Sequence, residues 1–135
     1  MNEYVSQVKK INYPVERVYA KLSDLSNLNN VKDKIPANTV TITYADKDSC
    51  KLKLNPIGES EIRIIDREEN KTVKLEATKS PIPFNMWIQL VEKDGATFLR
   101  LTLRAELNMF IKKMIGSKLE EGIDKLADTL AMLPY

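Results

Sequence analysis

Residues 108–133, NMFIKKMIGSKLEEGIDKLADTLAML, decide how the rest of the chain is read. Ile115, Leu119, Gly122, Ile123, Leu126, Leu130 and Leu133 recur at steps of three and four, which puts them on one stripe of an α-helix. Lys118, Glu120, Glu121, Asp124, Lys125 and Asp128 fall largely on the other side, and Glu121 precedes Lys125 in the favourable i,i+4 order. At about 1.5 Å per residue such a helix spans roughly 35 Å. It cannot bury its stripe alone and needs a broad apolar partner. Gly122 stands on the stripe itself, where a missing side chain permits either closer approach to that partner or room for a ligand.

Residues 39–107 offer the partner, because there the apolar period becomes two. Val40, Ile42 and Tyr44 alternate with threonines, and Cys50, Leu52 and Leu54 with lysines. Ile62 and Ile64 alternate with Glu61, Arg63 and Ile65; Val73, Leu75 and Ala77 alternate with Lys74 and Glu76. Phe84, Met86, Ile88 and Leu90 form the next face, then Leu99, Leu101, Leu103, Ala105 and Leu107. Turns are expected at Asp46-Lys47-Asp48, Asn55-Pro56-Ile57-Gly58, Asp66 to Lys71 and Lys93-Asp94-Gly95, with a stiff extended link at Ser80-Pro81-Ile82-Pro83. Each strand has one apolar and one polar face, as in an antiparallel sheet covered on one side.

Upstream, residues 3–11 read as a first strand carrying Tyr4, Val5, Val8 and Ile11. Pro14 opens a short helix through Val15, Val18, Tyr19 and Leu22. Ser23-Asp24 can cap a second one with Leu25 and Leu28, and residues 27–38 read as a loop or frayed turn closed by Pro36. No repeat or flexible linker divides the chain, so one domain over residues 1–135 is expected.

The stretch Ile11-Asn12-Tyr13-Pro14-Val15-Glu16-Arg17-Val18-Tyr19-Ala20-Lys21-Leu22-Ser23-Asp24 resembles the opening motif of the START-like and Bet v 1-like superfamily (SRPBCC), which includes polyketide cyclase/dehydrase and lipid transport proteins. The closing helix from Gly116 to Leu133 is similar to that family's last helix in its leucine spacing, and the likeness in element order covers nearly the whole chain. Both patches specify fold; neither is a catalytic signature. The resemblance implies an α+β helix-grip fold: a seven-stranded curved antiparallel sheet with two short helices and one long C-terminal helix. It further implies a cavity between helix and sheet for a small hydrophobic molecule, lipid- or polyketide-like. From the sheet, the implied lining is Tyr44, Leu52, Ile64, Leu75, Met86, Ile88, Leu101 and Leu103; from the helix it is Met114, Leu119 and Ile123.

Chemistry is thinly supplied. The chain has no histidine, which removes the commonest general base and metal ligand. Cys50 is the only cysteine, in phase with Leu52 and Leu54, and reads as a buried inert thiol. The four glycines are too scattered for a phosphate loop, and no spacing supports a metal site. Glu59, Glu61, Asp66, Glu68 and Glu69 read as solvated charges, and Arg63, Arg100 and Arg104 as surface partners of Glu76 and Glu106. Tyr19 and Tyr44 lie in phase with apolar positions and are the candidate polar handles. Trp87 and Gln89 share the face opposite Met86, Ile88 and Leu90, and the outward assignment is preferred for Trp87. No catalytic residue, cofactor or metal ligand is assigned.

A net charge of +2, with the lysine pairs 9–10 and 112–113 read as solvated faces, argues against a nucleic-acid partner. No stretch has the length of a membrane span, no signal segment opens the chain, and a lone cysteine suits a reducing compartment, so a cytoplasmic protein is expected. The leading reading is a binding module for a small hydrophobic molecule, monomeric or homodimeric. A cyclase- or dehydratase-type enzyme on the same fold, and a ligand-free interaction module using the sheet surface or the loop at residues 80–85, remain open.

Overall fold

The computed structural model describes residues 2–35, 40–54 and 57–135. The elements in chain order are β1 (Asn2–Val5), β2 (Lys9–Ile11), α1 (Val15–Leu22), two 3₁₀ turns (Leu25–Asn30 and Lys32–Lys34), β3 (Val40–Ala45), β4 (Ser49–Leu54), β5 (Gly58–Glu68), β6 (Thr72–Lys79), β7 (Phe84–Lys93), β8 (Ala96–Ala105) and α2 (Met109–Ala131). All strands join one antiparallel sheet in the order β1-β8-β7-β6-β5-β4-β3, with β2 continuing β1 along β8. This is the helix-grip architecture: a curved sheet holding a long C-terminal helix, with α1 and the 3₁₀ turns between β2 and β3. Pro36 and the Asn55-Pro56 turn lie outside the described residues.

The sheet curves where extra residues interrupt its pairing. The expected first strand is two strands, because Val5 pairs with Thr102 whereas Lys9 pairs with Leu99, one residue out of step. At the break, Ser6 turns inward: its amide donates to the Leu101 carbonyl at 2.8 Å, and its Oγ accepts the Leu101 amide at 2.9 Å. The slip inverts the side-chain phase, so Tyr4 and Ile11 both reach the interior while Val8 faces solvent. A second irregularity lies between Ile42 and Tyr44, and two more interrupt the pairing of β5 with β6, at Glu61/Ile62 and at Ile64/Asp66.

Asn108 caps α2 by accepting the Ile111 amide on its Oδ1 at 2.8 Å. The helix lies across β8, β1 and β2. Asp124 accepts the Gln7 amide at 2.8 Å, and Asp128 pairs with Lys9 at 2.8 Å, so two acids anchor the helix to the strand break. Gly116 is the close approach: a Cβ there would lie 3.4 Å from the Tyr4 hydroxyl. Pro14 precedes α1 as its N-cap rather than as its first residue, and Glu92 from β7 accepts the free Val15 amide at 3.1 Å. After α2 the chain folds back, and the Tyr135 hydroxyl donates to the Leu130 carbonyl at 2.5 Å. The Arg17 guanidinium and the Lys21 ammonium donate to the Tyr135 and Pro134 carbonyls.

Candidate functional site: an apolar cavity between helix and sheet

Because α2 covers β8 and β1, the far half of the curved sheet, β3 to β7, is roofed differently. The roof is the chain from Leu22 to Ile35, meeting the C-terminal half of α2. Leu25 and Leu28 are spaced by three, the period of a 3₁₀ helix, and share one face; Leu22 at the end of α1 and Val31 at the turn's C-cap extend the same wall. Asp24 caps that turn by accepting the Ser26 amide at 3.0 Å and its hydroxyl at 2.6 Å. The second short helix expected at Leu25 and Leu28 is thus present as a capped 3₁₀ turn, and the stretch expected as a loop or frayed turn continues it through a second 3₁₀ turn at Lys32–Lys34.

Beneath it lies a cavity of about 90 Å³, measured as the space open to the centres of water-sized spheres. Its floor is Ile42, Leu52, Leu75, Met86 and Ile88; Leu126, Leu130 and Leu133 close one side, and Leu22, Leu25, Leu28, Val31 and Ile35 the other. A smaller lobe of about 40 Å³ shares Val40, Leu54, Phe84, Met86 and Leu126 with it, and is completed by Ile57, Leu103, Leu119, Gly122 and Ile123. Gly122 thus stands at open space beside the helix stripe. One sphere the size of water needs roughly 10–15 Å³ by this measure, so several waters would fit. Water also needs two to four polar partners, and this wall offers almost none.

Lys21, Asp24 and Asn27 are the polar residues on the wall of the larger lobe, and each is engaged. Asp24 holds Ser26, Asn27 Nδ2 donates to the Lys21 carbonyl at 3.1 Å, and Lys21 reaches the Pro134 carbonyl. Cys50 is 1% exposed, and burial above all, with the charge of Asp46, pushes its thiol up to about 12. It stays protonated and is a poor nucleophile. Among the described residues no cluster of acidic or cysteine side chains could hold a metal ion.

Seven of the expected lining residues face this space: Leu52, Leu75, Met86, Ile88, Leu103, Leu119 and Ile123. Ile64 and Leu101 point to the same interior but lie in close-packed core; Leu101 sits on β8, the strand that α2 covers. Tyr44 is elsewhere. The extra residue between Ile42 and Tyr44 rotates it to the outer face, half exposed, where its hydroxyl donates to Asp46 at 3.1 Å. That hydrogen bond to the carboxylate raises the Tyr44 pKa. Met114 is also elsewhere, because five residues before Leu119 is about 140° around a helix, and it is 59% exposed.

Trp87 is on the outer face, with the Lys74 ammonium 5.1 Å and the Arg104 guanidinium 5.5 Å from its ring. Arg104 pairs with Glu3 at 3.1 Å and Arg100 donates to Gln89 at 3.0 Å, so these arginines find partners other than Glu76 and Glu106. No helix of the described residues is long and apolar enough to cross a membrane.

No protein-family model matches the chain, and no curated protein matches it in sequence. Solved structures do match in shape. A conserved protein from Geobacillus kaustophilus is 19% identical, with a TM-score of 0.68 over 97% of this chain and 93% of that one. Norcoclaurine synthase from Thalictrum flavum, also solved in complex with dopamine and hydroxybenzaldehyde, has a TM-score of 0.72 at 10% identity over 96% of this chain and 85% of its own. The Aha1 dimer from Colwellia psychrerythraea is 20% identical, with a TM-score of 0.61 over 98% of both chains. At these identities the likeness is one of fold, and that fold is the Bet v 1-like helix grip.

Proposed function

We propose that this chain binds a small, uncharged hydrophobic molecule in the cavity between α2, the 3₁₀ segment and the sheet. The observation that carries the reading is an interior space whose wall is apolar and whose few polar members already have partners. A charged or strongly polar guest would lose its hydration there without compensation. The two lobes together approach the size of an engineered apolar cavity, about 150 Å³, that stays dry and takes benzene. One aromatic ring or a short alkyl chain is the scale of guest this supports. Norcoclaurine synthase on the same fold has been solved with dopamine and hydroxybenzaldehyde, a precedent for aromatic guests.

Tyr44 and Met114 have no part in this site. Leu75, Met86 and Leu126 have the central one, with Gly122 providing space on the helix side. The test is extraction and mass spectrometry of protein purified without detergent, paired with thermal unfolding in saturating toluene or hexanol. A co-purifying apolar molecule, or a rise in midpoint that a cavity-filling Leu126→Trp variant abolishes, supports the reading. No bound molecule and no shift with either probe overturns it.

A further inference from the structure

The first turns of α2 carry side chains that the cavity does not use. Met109, Phe110 and Met114 are 78%, 72% and 59% exposed, three of the nine large exposed apolar residues among the described ones, within a six-residue stretch. Val91, Ile65 and Met132 are scattered elsewhere, as surface apolar residues commonly are. On the helix, Phe110 and Met114 lie one turn apart, with Lys113, Ser117 and Lys118 beside them and all exposed. The packing side of the same turns is occupied by Ile111, Ile115 and Leu119.

Charge is divided along α2. Residues 109–119 hold Lys112, Lys113 and Lys118 and no acid; residues 120–131 hold Glu120, Glu121, Asp124 and Asp128 against Lys125 alone. Lys112 and Lys113 therefore sit toward the positive end of the helix dipole, where they weaken the helix. Among the described residues none of the three lysines forms an ion pair; Glu106 precedes the cap, and Glu120 and Glu121 follow Lys118 on the next turn. Exposed Phe and Met interleaved with unpaired lysines suit a surface that is apolar beneath and anionic above.

We propose that this face of α2, residues 109–118, docks on the surface of an anionic lipid bilayer. Leu119 and Gly122, on the turns beyond it, line the smaller cavity lobe, so docking would bring that lobe close to the bilayer. The proposal does not depend on the cavity being occupied, and its test uses the protein without added ligand. Sedimentation with vesicles of phosphatidylcholine alone and of phosphatidylcholine with 30% phosphatidylglycerol is compared at 50 and 300 mM salt. Binding is expected to the anionic vesicles only and to weaken with salt.

Lys113→Gln with Lys118→Gln is expected to lower the partition coefficient on the order of 30-fold, from about fivefold per lysine. Phe110→Ser with Met114→Ser is expected to abolish binding, and both double variants keep the parent's melting temperature because the altered groups are exposed. Failure to bind anionic vesicles, equal binding to neutral ones, or unchanged binding by either double variant overturns the proposal. So does a dimer in light scattering that Phe110→Ser with Met114→Ser dissociates, since the face would then belong to a second copy.

Discussion

Truncating Leu75 and Leu101 to alanine should give unequal losses, although the two are 3% and 0% exposed. Either change removes apolar transfer energy of about 2–3 kcal/mol, from roughly 0.8 kcal/mol per methylene-sized group. The remaining cost depends on the size of the void created and how far its walls relax, which places Leu→Ala changes anywhere from about 2 to 5 kcal/mol. Leu75 already faces empty space and has partners on only part of its surface, so its loss should stay near the lower end. Leu101 lies on β8 beneath α2, surrounded by core, and should fall near the upper end. Urea unfolding at 25 °C with the slope held common measures the difference, expected to be about 2 kcal/mol. Toluene at a hundredfold excess over its dissociation constant should restore about 2.7 kcal/mol to Leu75→Ala. Equal losses for the two variants, with no recovery by toluene in Leu75→Ala, would refute the assignment of Leu75 to a cavity wall.

Other consequences can be checked with single substitutions. Ser6→Ala leaves the buried Leu101 amide without its acceptor and should cost about 1–3 kcal/mol in the same unfolding assay. Tyr44→Phe should leave ligand-induced shifts in melting temperature unchanged, because its ring lies on the outer face. Asp46 accepts from the Ser49 amide and hydroxyl and from the Asp48 amide, and these bonds hold its carboxyl below the usual 3.8. Its folded pKa is depressed, so its contribution is present above pH about 4 and disappears as pH falls through the lower folded value. The stability gap between the parent and Asp46→Asn should accordingly be constant at pH 5–7 and close below pH 3.8, as followed by thermal unfolding.

The fold was legible where the pattern of side chains is regular. In β6 to β8 the inward residues Val73, Leu75, Phe84, Met86, Ile88, Leu99, Leu101 and Leu103 keep a strict period of two, and the register has no slip between β6, β7 and β8. The stripe of α2 is equally regular, and its cap at Asn108 agrees with residue type. Local insertions in the ladder escaped the sequence. One extra residue before Tyr44, and another between Val5 and Lys9, each reverse the phase of the side chains downstream without leaving a mark in composition. The cavity roof was legible only in part: Ser23-Asp24 with Leu25 and Leu28 marks a short helix, but its continuation to Val31 runs amid Asn and Lys that suggest a loop. Open space itself depends on how far the sheet curves away from α2, a tertiary quantity that no single strand encodes.

Diffraction from crystals pressurised with xenon tests for the cavity itself, since xenon reports an apolar void without requiring the natural ligand. Xenon is expected within van der Waals reach of Leu75, Met86 and Leu126. Xenon bound only at the protein surface, with that interior filled by side chains, would rule the cavity out.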